Sequence, residues 1–308
     1  MQKYEFTGVT KTVNGTVVKQ IRALIKIESM CVEVGTIGGW LEKETNLSHE
    51  GNCFVFDQAS VRDNGRVIGN AMVREHATVF GRATIYDNAY VCGRAKVGGS
   101  CLIQNSAYIG GDCEVKDDAN VGGYTRVYEQ ALIAGYAEVN GDVSIRGYAE
   151  IFGNAYLNAE IAVSGRAYIN GGVTTASRSD GYTFALLPYK DRSYRITAGC
   201  RFFTMAEAME HWTSSRGGTP LGDETFAILD FFRKMAALKG LAEKPSGDGD
   251  LCGDCDVPLT TTPVMLGDIP ATHRVCPQCG SEDHDLGDYN MGDCVINQPS
   301  VVSQAVEG

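Results

Sequence analysis

Hydrophobic residues recur through the middle of the chain with a period that fits neither a helix nor a hairpin. From Val55 to Ile169 every sixth residue is Val, Ile or Leu: Val55, Val61, Val67, Val73, Val79, Ile85 and so on through Val139, Ile145, Leu157 and Ile169. Four residues after each stands a second set that is mostly small, including Ala59, Gly65, Ala71, Ala77, Cys101 and Cys113. Two residues after each Val or Ile, seventeen of twenty positions are Gly, Asn or Asp, such as Gly69, Asp87 and Asn105. In extended chain, residues two apart face the same way, so the small residue and the next Val or Ile both point inward. Gly, Asn and Asp tolerate positive φ, which a sharp corner needs once in six residues. Three strands and three corners then close one coil of 18 residues, and coils stack at ~4.8 Å through parallel ladder bonds. The twenty hexads predict between six and seven coils and a column roughly 32 Å long.

The flanks read differently. Val9–Val13 and Thr16–Leu24 are expected as two strands joined by Asn14-Gly15, a strong hairpin signal. Beyond the repeat, Tyr182–Leu187 and Tyr194–Ile196 predict a second hairpin around residues 188–193. Thr204 with Glu207 forms a capping box that opens a helix through His211 and Trp212. A second helix is expected from Asp223 to Lys239, stopped by Gly240. Its apolar residues, among them Phe226, Leu229, Phe231, Phe232 and Leu238, cover more than one face. That surface must be buried, by capping an open end of the column or by joining a second subunit. The expected organisation is a hairpin and lead-in segment over 1–54 and the repeat over 55–174. A cap or oligomerisation segment follows over 175–242, and an acidic linker, metal module and tail over 243–308.

The six-residue repeat resembles the hexapeptide repeat of left-handed parallel β-helices. The segments Gly38-Gly39-Trp40-Leu41-Glu42, Asn46-Leu47-Ser48 and Gly51-Asn52-Cys53-Phe54-Val55-Phe56 resemble the start of the YdcK-like group of bacterial and phage-borne hexapeptide-repeat proteins, over about residues 20–215. The resemblance implies a mainly β fold, a left-handed parallel β-helix with a small α-helical cap. It also implies a phage or prophage accessory protein that engages a host macromolecule or a small ligand, with inhibition of a host defence as one such role. Proteins with this column are often acyltransferases, which use a His base.

Charge is unevenly placed. Of the formal −11, residues 243–308 carry twelve acids against Lys244 and Arg274, a net of −10, which leaves −1 for the other residues. Nucleic-acid backbones call for clustered Lys and Arg, so nucleic-acid binding is not expected. A protein partner with a basic surface suits the acidic segment better, and mimicry of nucleic acid is the alternative. No run of about 18 apolar residues predicts a membrane span, and no apolar segment of signal-peptide length opens the chain. The expected location is the bacterial cytoplasm. The eleven cysteines are then core thiols or metal ligands rather than disulfides.

Cys252-x-x-Cys255 and, twenty residues on, Cys276-x-x-Cys279 carry the sharpest chemical signal. Two thiolate pairs at this spacing close a tetrahedral Zn²⁺ site with no open position, which predicts a structural zinc ribbon. An iron–sulfur site is the alternative, and His273, His284 and Cys294 are the substitute ligands. Cys53, Cys101 and Cys113 fall on inward positions as packing thiols, whereas Cys92 is expected outside. His76, at an outward corner near Arg94 and Gln58, is the sole His inside the repeat and the catalytic candidate only if the protein is an acyltransferase. Met72, Arg74, Tyr90, Tyr108, Arg126, Tyr128 and Arg146 gather outside one wall, an aromatic and Arg mixture that suits a partner or self-assembly surface. The reading is a non-catalytic binding scaffold, with a homo-oligomer in view and with the acyltransferase as its rival.

Overall fold

The computed structural model describes residues 2–199 and 201–243, together with the backbone of three strands at 260–266, 269–275 and 282–285. The hexads wind into a parallel β-helix of about seven turns with three walls. Tyr90 lies beside Met72 below and Tyr108 above, Val97 between Val79 and Val115, and Ile103 between Ile85 and Val121, each step being 18 residues. The first wall carries the column Val55, Val73, Val91 and Ile109, the second Val61, Val79, Val97 and Val115, the third Val67, Ile85, Ile103 and Val121. All twelve are fully buried, as are Ala59, Ala77 and Cys101 between them.

The corners bear out the turn chemistry. Nineteen of the twenty corner residues have positive φ, Ala159 being the exception. Glu75 and Glu129 adopt φ of 62° and 61°, a region unfavourable to ordinary side chains. Both carboxylates reach the coil above, where they accept from the N–H of Gly93 at 2.8 Å and of Gly147 at 2.6 Å. Asp57, Asp63 and Asp117 do the same for Glu75, Gly81 and Gly135. An acidic corner therefore ties its coil to the next, a second role beyond tolerance of positive φ.

One edge of the column changes along its length. Where the third wall turns into the first, the inward residues run Ala71, Ala89, Ala107, Thr125, Val143 and Ile161, all buried. As the side chains grow, the corner opens. Glu138–Ile145 and Tyr156–Val163 each run as one strand through the former corner and pair in parallel over eight positions.

The lower end is plugged. Strands β1 (Tyr4–Val13) and β2 (Thr16–Ala23) form the hairpin, turning at Asn14 and Gly15 with φ of 48° and 82°. β1 begins at Tyr4 and not at Val9, because a register shift between Phe6 and Thr10, around Gly8, interrupts the alternation on which a strand is recognised. β3 (Ile37–Leu41) pairs antiparallel with β2 and parallel with Ser60–Val61, so it extends the second wall. The first coil has no coil beneath it, and its downward carbonyls need donors. The backbone N–H of Trp40, Glu42 and Ser48 serve Ala59, Val61 and Val67, and the Asn46 amide serves Asp63 and Gly65.

The upper end is closed by a sheet, with the helices behind it. Thr183–Pro188 and Ser193–Ala198 form the expected hairpin, flanked by Thr174–Ser177 and Arg201–Phe203. Ala185 and Leu187 face the column's core, whereas Phe184 and Leu186 face a second core built with the helices. Helix α1 (Met205–Arg216) starts at the Thr204–Glu207 capping box, with both reciprocal bonds present. Helix α2 runs Pro220–Leu238, three residues earlier than expected, because Thr219 caps it and Pro220 suits its first turn. Leu229, Phe232 and Ala236 are buried, whereas Phe231 and Leu238 stand 41% and 81% exposed. The expectation that the whole apolar surface of α2 is covered is thus met on one face only within this chain.

In the last region, 260–266 pairs antiparallel with 269–275, which pairs antiparallel with 282–285. Cys252, Cys255, Cys276, Cys279 and Cys294 lie outside the described residues.

Candidate functional site

The strongest assembly of exposed chemistry stands on the first wall. Its ladder places Met72, Tyr90, Tyr108 and Arg126 directly above one another. Arg74, Tyr128 and Arg146 flank it, two residues further along their strands. The rings of Tyr90 and Tyr108 stack with centroids 5.3 Å apart and 22° between planes, and Tyr108 meets Tyr128 at 5.2 Å and 40°. Gly110 makes this possible, since a Cβ there would come 2.6 Å from the Tyr108 ring. Such offset contacts between half-buried rings contribute about 0.5–1.5 kcal/mol each beyond burial.

Cys92 lies on the outward side, where its position in the hexad puts it. It is buried there, with its thiol donating to the Tyr108 hydroxyl at 3.0 Å. Burial pushes the Cys92 thiol up, and burial with the Cys92 contact pushes the Tyr108 phenol up, so neither is a ready nucleophile or acid. The cationic members of the wall are engaged within the chain. Arg74 approaches Asp57 at 3.6 Å, Arg126 lies 3.8 Å from Asp142, and Arg146 stands 6.0 Å over the Phe202 ring. The structure brings all seven sequence-predicted residues onto one face, and that face is aromatic more than cationic.

His76 stands at an exposed corner, its backbone N–H bonded to Gly93. The neighbouring groups are committed elsewhere: Arg94 clasps Asp112 with two bonds of 2.5 and 2.6 Å, and Gln58 accepts from Lys11 at 2.9 Å. The Glu75 carboxylate is held by the Gly93 N–H. The hexads run unbroken beside it, with no loop between them.

A second histidine escaped the sequence reading. His49 lines an open groove with Glu44, Ser48, Asn64, Arg66 and Ile68. Its Nε2 meets Glu44 at 2.9 Å, its Nδ1 accepts the Lys3 N–H at 3.1 Å, and its ring stacks on Tyr4 at 4.5 Å. Both nitrogens are used, so His49 pins the lead-in segment and has none left for a substrate. A signal was available in the spacing Glu44-x-x-x-x-His49, but that spacing is common in loops.

The inward thiols match their expectation. Cys53, Cys101 and Cys113 are fully buried, and burial pushes Cys101 and Cys113 up to about 12. Among the described residues no group of three or more His, Cys, Asp or Glu could hold a metal ion. Among them, too, no helix is long and apolar enough to cross a membrane.

No protein-family model matches the chain. Over 65 residues, 21% of its length, the chain is 38% identical to the uncharacterized acetyltransferase YdcK of Escherichia coli (strain K12). The matched stretch spans 18% of that relative's own length, so the likeness is to a small portion of it.

Proposed function

We propose that the protein is a non-catalytic recognition scaffold whose first wall binds a protein partner or a second copy of itself. The stacked Tyr90–Tyr108–Tyr128 column carries this reading, because large rings held in place lose little side-chain entropy on binding. The unbroken hexads support it, since they leave no protruding loop to shape an acyl-donor pocket. The family resemblance supports a phage or prophage accessory role with a host macromolecule as partner. The test is the double variant Tyr90→Ser/Tyr108→Ser, read by sedimentation for self-association and by affinity capture for partner. Loss of at least tenfold in either association is expected. Unchanged mass together with unchanged capture overturns the reading.

The likeness to the acetyltransferase YdcK favours a second reading, an acyltransferase in which His76 is the base. Incubation with acetyl-CoA and candidate amines separates the two. The scaffold reading expects no release of free CoA, and release abolished in His76→Ala replaces it with the enzyme reading.

We also propose that Cys252, Cys255, Cys276 and Cys279 hold one structural Zn²⁺ as a zinc ribbon. The donor set fits, with four thiolates in two CxxC pairs. The register supports it as well, because Thr260 pairs with Val275, so the start of the first strand and the end of the second lie at the same end of the sheet. His273 and His284 are direct cross-strand partners. One zinc per chain by native mass spectrometry, lost in Cys276→Ser, is expected. A visible charge-transfer band from iron would assign the quartet to an iron–sulfur site instead.

A further inference from the structure

We propose that Lys3 and Cys53 form a covalent redox crosslink, an N–O–S bridge from Nζ to Sγ, with dioxygen as oxidant. Both residues are fully buried at the lower end of the column. The Lys3 amine lies 2.7 Å from the Cys53 carbonyl, 3.3 Å from that of Gly51 and 3.5 Å from that of Glu50, and its fourth neighbour is Cys53 Sγ at 3.1 Å. The amine thus serves as a donor cap for downward carbonyls, as Asn46 does nearby, but the thiol is not needed for that task. Ala occupies the same inward position at Ala71 and Ala89, and a capping amine could stand beside it equally well.

Burial lowers the Lys3 pKa and raises that of Cys53, while the contact between the two opposes both shifts. The thiol in turn lies 3.5 Å from the Val67 carbonyl, 3.6 Å from that of Ser48 and 3.7 Å from that of Glu50, so both groups are fixed in place. The N···S line is where an oxygen atom would insert. Such a bridge fills most of the existing gap, whereas a direct S–N bond would pull the amine off its carbonyls. The step balances as R–SH + R′–NH₂ + O₂ → R–S–O–NH–R′ + H₂O. The O=O, S–H and one N–H bond break, S–O and O–N bonds form, and the second oxygen leaves as water after forming O–H bonds to the two hydrogens. Sulfur and nitrogen each lose two electrons, and dioxygen accepts four. The product would lock residue 3 onto the first coil, so that the plug could not peel away from the column.

The test holds the full chain in air-saturated or oxygen-free buffer, then denatures, alkylates, digests and maps peptides by mass. Exposed Cys31 reports that the oxidant reached the sample. The aerobic sample should yield a linked peptide pair containing Lys3 and Cys53, about 14 Da heavier than the two together. Lys3 should resist trypsin, the link should disappear with dithiothreitol, and the aerobic chain should melt at a higher temperature than the anaerobic one. Lys3→Arg, which keeps a carbonyl donor, should lose the link and the oxygen-dependent shift in melting. Oxidised Cys31 beside a Cys53 that still alkylates fully overturns the proposal. So does Cys53 carried to sulfinic or sulfonic acid with Lys3 free, and so does a pair about 2 Da lighter, the mark of a direct S–N bond.

Discussion

Thr125 is fully buried, and its hydroxyl meets no hydrogen-bond partner. It stands between Ala107 and Val143 on the widening edge, so the methyl side of Thr fits while the hydroxyl is desolvated without return. Thr125→Val should therefore stabilise the protein by about 1 kcal/mol in urea titration, the reverse of the usual effect of a core substitution. Glycines divide by what surrounds them. Gly99 has φ of +69° and lies in the stacked corner, where a Cβ would approach the Asp117 carbonyl at 2.3 Å; Gly15 has φ of +82° and open space around it. Gly15→Ala should cost about 1 kcal/mol from backbone strain alone, and Gly99→Ala more than about 2 kcal/mol, because the backbone of the next coil would also have to shift. Equal losses in the two variants would mean that the corners are softer than their spacing implies.

At the scale of elements, the cap is held to its helices by Arg178. This guanidinium is buried against the rings of Tyr182, Phe184 and Trp212, and it donates to Thr225 of α2 at 3.1 Å. Its partner Asp180 accepts two bonds at 2.6 and 2.9 Å, and Arg178 holds that carboxyl at about 2, below the ordinary carboxylate range. The folded value lies below the unfolded one, so the pair's contribution is whole above about pH 4 and is lost as pH falls toward 2. The gap in melting temperature between the parent chain and Asp180→Asn should be constant from pH 7 to 5 and close below pH 4. A gap that persists at pH 2 would contradict this.

Legibility of the elements follows how local their causes are. The coils could be read because each inward Val and each corner Gly or Asp owes its place to neighbours at a fixed spacing of six, and the capping box at Thr204 because its partner is three residues away. The cap sheet could not, since Phe184 and Ala185 are equally apolar and only the final packing decides which faces the column. Lys3 was invisible for a related reason: a single Lys near a strand carries no pattern, and its carbonyl partners lie about fifty residues away. The Tyr wall was legible as a grouping, but the engagement of Arg74 and Arg146 within the chain was not.

As a whole molecule, the protein is a stack whose two ends are each covered by a different non-repeating segment. An uncovered coil presents a row of free backbone groups, which pair readily with another chain. A chain ending at residue 172 lacks the sheet formed by Thr174–Ser177, Thr183–Pro188 and Ser193–Ala198. That truncated chain should scatter light and elute as large species at micromolar concentration, whereas a chain ending at residue 243 should not. A monodisperse 1–172 fragment would show that the last coil protects itself.

The placement of the lower plug also orders events during synthesis. β2 and β3 emerge from the ribosome before Ser60, and β3 already presents the edge on which Ser60–Val61 pairs. Each new turn thus meets a finished template as it appears, and growth proceeds in the direction of translation. The opposite edge stays sticky until the segment after residue 173 is made, so a ribosome stalled between those points would hold out an adhesive nascent chain.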